Sequence, residues 1–123
     1  MIVYRRLCVI ALCEHAFVSY GEHLGRFQKA IENSDATAAM AAARDMGTVG
    51  LYDALSLCRL LAETRDPLFE RAAKRWLTML AGEGRQGLAD VQTGATALVA
   101  LHADPEDEAA FEILERLVQY RGE

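Results

Sequence analysis

The chain is poor in the residues that stiffen, cross-link or anchor a protein. It has two prolines and nine glycines in 123 residues, which excludes collagen-like and proline-rich classes. Three cysteines are an odd number and too few for a disulfide scaffold, so they read as reduced, buried thiols of a cytoplasmic protein. No apolar stretch approaches the roughly 20 residues that a membrane-spanning helix needs. The start, with Arg5 and Arg6 ahead of Leu7–Cys13, has the outline of a secretion signal. That apolar core is at the short end for a signal peptide, Glu14 and His15 close it, and no small-x-small cleavage site follows cleanly. The segment is therefore expected to be a helix buried on most of its sides. Cationic surplus is missing too. The net charge of −5 argues against a general DNA or RNA binder, whose affinity comes from neutralising phosphates.

What remains is ordinary globular material, 52% hydrophobic and 25% charged, which excludes intrinsic disorder. A chain of this length reads as a single domain over residues 1–123 and buries about two-thirds of its unfolded surface. Alanine and leucine dominate, and both favour helix. No segment sustains the period-2 alternation of a strand. The fold class is all-α, with about six helices in antiparallel hairpins.

The first helix is expected over about residues 2–32. Ile10, Cys13, Phe17, Tyr20, Leu24, Phe27 and Ile31 alternate steps of three and four, a heptad-like seam that Val3 extends backwards. Gly21 and Gly25 share one face and suggest a docking line for a neighbouring helix. Ser19-Tyr20-Gly21-Glu22 also fits a capping box, which would break or kink the helix near 19–21. A short alanine-rich helix over 36–46 follows, with Asp35 as N-cap and Gly47 just past its C-terminus.

The remaining chain reads as two hairpins, over about 49–81 and 88–121. Helices 49–64 and 67–81 form the first pair, and 88–102 and 105–121 the second. Leu60–Pro67 aligns with Leu98–Pro105 at a shift of 38 residues, and each segment ends in Asp-Pro. Asp caps a helix and Pro suits its first position. The shift permits two architectures: a plain helical bundle, or a short helical-hairpin repeat of the α-solenoid kind. The aromatic and glycine signature of a tetratricopeptide repeat is absent.

Chemistry is hard to place. Cys8, His15 and Glu22 recur every seven residues on one helix, but successive members lie about 10 Å apart along the axis and cannot converge on a zinc ion. Glu-x-x-His, which a di-iron bundle requires, does not occur. Cys58 falls among Leu51, Leu55 and Leu61 as a buried thiol. Gly82-Glu-Gly-Arg-Gln-Gly87 follows no strand and lacks Gly-Lys-Ser/Thr, so it reads as a connector rather than a phosphate loop. No catalytic residue, metal or cofactor is assigned, and an enzyme is not expected.

The surface says more. Arg71, Lys74 and Arg75 form a basic stripe opposite a core stripe that contains Trp76. Trp76, the single tryptophan, reads as a core anchor or as an interface anchor. From Asp104 onward seven acidic residues face two arginines, matching the whole net charge of −5. Glu106, Asp107 and Glu108 lead that acidic segment and suit a helix start. The expected function is a small cytoplasmic protein–protein interaction or scaffold module, self-associating as a homo-oligomer or docking a protein partner. Its candidate contacts are Phe17, Leu24, Trp76, Arg71, Lys74, Arg75, Glu106, Asp107 and Glu108. The alternative is an accessory or regulatory subunit in a nucleic-acid or phage-defence process, acting by the basic stripe or by the acidic tail rather than by general nucleic-acid binding. No membrane partner is expected.

Overall fold

The computed structural model describes the backbone of residues 9–82 and 87–121, and side-chain surroundings for residues 21–82 and 87–119. Six helices account for nearly all of it: α1 (Val9–Glu32), α2 (Ala36–Met46), α3 (Leu51–Glu63), α4 (Phe69–Gly82), α5 (Leu88–Ala103) and α6 (Glu108–Arg121). No strand occurs among the described residues. The contacts divide the chain into two compact units, Met1–Thr48 and Val49–Glu123.

The first unit is the α1–α2 hairpin. Helix α1 runs unbroken through 19–21, so the Ser19–Glu22 capping box does not restart a helix there. Its C-terminus closes with two backbone bonds, Asp35 N–H to Ala30 C=O at 2.9 Å and Ser34 N–H to Ile31 C=O at 3.1 Å. This is the Schellman closure, which puts one residue in the left-handed region. Here that residue is Ser34, with φ of 56°. Asp35 then caps α2, its carboxylate accepting from Ala38 N–H at 3.0 Å. Gly47 ends α2 at φ of 79°, a backbone angle that glycine adopts without steric cost. Phe27 and Ala30 of α1 and Ala39, Ala42 and Met46 of α2 are buried. Arg26 reaches Asp45 at 3.0 Å across the exposed side of the hairpin. Gly21 and Gly25 are not the docking line: both are exposed, and a methyl group on either would meet nothing within 4 Å.

The second unit is built from α3 to α6. Consecutive helices pack together, and α3 also meets α5 and α6, so the four close on one another as a bundle. Short connections make consecutive helices antiparallel. The leucines of α3 (Leu51, Leu55, Leu57, Leu60, Leu61) and Trp76 and Leu80 of α4 fill the core with Leu98, Leu101, Leu114 and Leu117. Gly94 of α5 is buried where three side chains crowd it: an added methyl would lie 3.2 Å from Leu77 Cδ2 and 3.4 Å from Leu117 Cδ1 and Trp76 Cζ3. A side chain at this position would be accommodated only if those neighbours moved aside.

Both Asp-Pro pairs form the same turn, and both helices begin later than the sequence suggests. Asp66 accepts from Leu68 N–H at 2.9 Å, and Phe69 N–H bonds Asp66 C=O at 3.1 Å. Asp104 likewise accepts from Glu106 N–H at 3.1 Å, and Asp107 N–H bonds Asp104 C=O at 3.0 Å. The aspartates thus cap a tight turn that contains the proline, and the helix proper starts beyond it. In the second case the N-cap passes to Asp107, whose carboxylate accepts from Ala110 N–H at 3.0 Å. The 38-residue similarity therefore has a structural counterpart in these turns.

Candidate interaction surface

Trp76, offered by the sequence as core or interface, lies in the core. It is 0% exposed, and its indole N–H donates to Leu51 C=O at 3.0 Å. It anchors α4 to the first turn of α3 and presents nothing to a partner. Cys58 is buried as well, and desolvation pushes its thiol up to about 12. It stays protonated at neutral pH and is no nucleophile. Among the described residues no three His, Cys, Asp or Glu side chains group as metal ligands would, and no described helix is long and apolar enough to cross a membrane. Leu24 is half-buried. The side chain of Phe17 lies outside the described residues, as do Cys8, His15 and residues 83–86.

The basic stripe is on the surface. Arg71, Lys74 and Arg75 are all exposed on α4, and Lys74 pairs with Glu70 one turn earlier at 3.4 Å. The acidic segment is partly engaged within the fold. Asp107 is half-buried as the cap of α6, and Glu108 is held at 2.6 Å by Arg59 of α3. Glu106 is exposed in the turn.

Arg59 escaped the sequence reading because its role depends on α6 lying beside α3. Its guanidinium sits 4.2 Å over the ring of Phe111 and within 3.6 Å of Glu63. The pairings join the end of α3 to the start of α6. Near the other end, the Tyr52 hydroxyl donates to Glu115 at 3.4 Å. His102 was also missed. Its ring stacks on Phe69 at 4.5 Å, and its carbonyl accepts from Arg65 at 3.5 Å, tying the turn after α3 to the end of α5.

Helix α5 has the most unusual surface. Among its exposed positions are Leu88, Gln92, Thr93, Thr96, Val99 and Ala103, and none of its exposed side chains is Asp, Glu, Lys or Arg. Asp90, its one formal charge, is half-buried. Leu88 is 87% and Val99 70% exposed. A solvated helix normally places charge opposite its core stripe, as α4 does with Glu70, Arg71, Lys74 and Arg75. The face of α5 beside this strip opens into a groove of about 470 Å³ shared with α6, lined by Thr96, Ala97, Ala100, Ala110 and Ile113 and also by Asp107. The signal was present in the sequence as a sixteen-residue helix with a single formal charge, which reads equally as an enclosed one. Compared with protein-family models, with curated proteins and with solved structures, the chain matches none.

Proposed function

We propose that the protein is a small helical interaction module that works by docking a protein, with no catalysis of its own and a cytoplasmic setting. The observation that carries this reading is the α5 surface: a helix with leucine and valine projecting into solvent and no exposed Asp, Glu, Lys or Arg of its own. Exposed apolar residues scattered singly need no explanation, but a helix face without exposed formal charge, beside a groove lined largely by alanine and threonine with Asp107 among them, fits a contact surface. Cys58 itself is buried and protonated and offers no nucleophile. The test places a photo-crosslinking amino acid at position 99 and, as control, at position 74 in cells. Adducts to polypeptide at 99, whatever the polypeptide, support the reading. Irradiation that yields none at 99 refutes it.

A second reading keeps the nucleic-acid role, through exposed Arg71, Lys74 and Arg75 on one side of α4. Three cations on one face suit phosphate contacts, and the acidic balance of the chain opposes them. Reversing all three charges should abolish nucleic-acid association if this reading holds. Unchanged association removes it.

A further inference from the structure

We draw no further inference here: the strongest candidate, the surface patch of α5 around Leu88 and Val99 with the groove that α5 shares with α6, is an unpartnered face, and nothing in the structure shows what covers it.

Discussion

Replacing Trp76 with phenylalanine separates a packed core from a merely apolar one. The substitution removes one ring and the N–H that bonds Leu51 C=O at 3.0 Å, at a site with no solvent exposure. The orphaned acceptor costs little, because the carbonyl still has its place in the first turn of α3. The lost bond is worth about 1 kcal/mol, and the vacated volume adds about 1–2 kcal/mol. The expected loss of about 2–3 kcal/mol is a large fraction of the roughly 5–15 kcal/mol that stabilises a domain. Urea unfolding followed by far-ultraviolet circular dichroism measures it, with an unchanged dependence on denaturant showing that compactness is kept. The wild type supplies an independent reading, because its single tryptophan reports on residues 49–123 alone. Its emission should be blue-shifted in the native state and move red on unfolding. A loss below about 0.5 kcal/mol, a value usual for surface changes, would refute the placement, as would native emission like that of tryptophan in water.

Three further outcomes follow from particular side chains. Gly21→Ala and Gly25→Ala should each stabilise α1 by about 0.5–1 kcal/mol, since the new methyl meets nothing, whereas Gly94→Leu should cost more than about 1 kcal/mol by overpacking against Leu77, Leu117 and Trp76; thermal melts compare them. A double-mutant cycle of Arg59→Ala and Phe111→Leu should show a coupling of about 0.5–1 kcal/mol from the cation over the ring, and additive effects would show that the stacking is idle. Burial raises the Asp53 carboxyl above its ordinary 3.8, so the native state holds that proton more tightly than the unfolded chain. Stability therefore falls as pH rises through the raised value, Asp53→Asn should match or exceed the wild type at neutral pH, and its advantage should shrink on acidification; an advantage that grows in acid would contradict this.

Local chemistry was legible in the sequence, and pairings between distant residues were not. The α2 helix was readable to the residue because Asp35 and Gly47 act on backbone groups next to them. The Asp-Pro turns were visible, but their helices were placed too early, since the same aspartate that can cap a helix can cap the turn before it. Ser34 and Arg65 occupy left-handed positions with φ of 56° and 55°, where glycine would have announced the helix end. Gly21 and Gly25 suggested a close approach that Gly94 provides instead, because a small residue permits contact without selecting the neighbour. Trp76 could be given two roles because one helical stripe does not say whether protein or solvent lies opposite. The uncharged strip on α5 emerges only once its core side is known, and Arg59 has no evident purpose until α6 lies beside it.

The contact between Tyr52 and Glu115 has a topological consequence. It sets the start of α3 against the later turns of α6, so the first and last helices of the bundle meet and the order α3, α4, α5, α6 closes into a ring. In a ring, which hairpin comes first in the chain matters little to the packed structure. A circularly permuted form, joined from α6 to α3 and opened between α4 and α5, would keep each interhelical contact while exchanging the two hairpins in sequence.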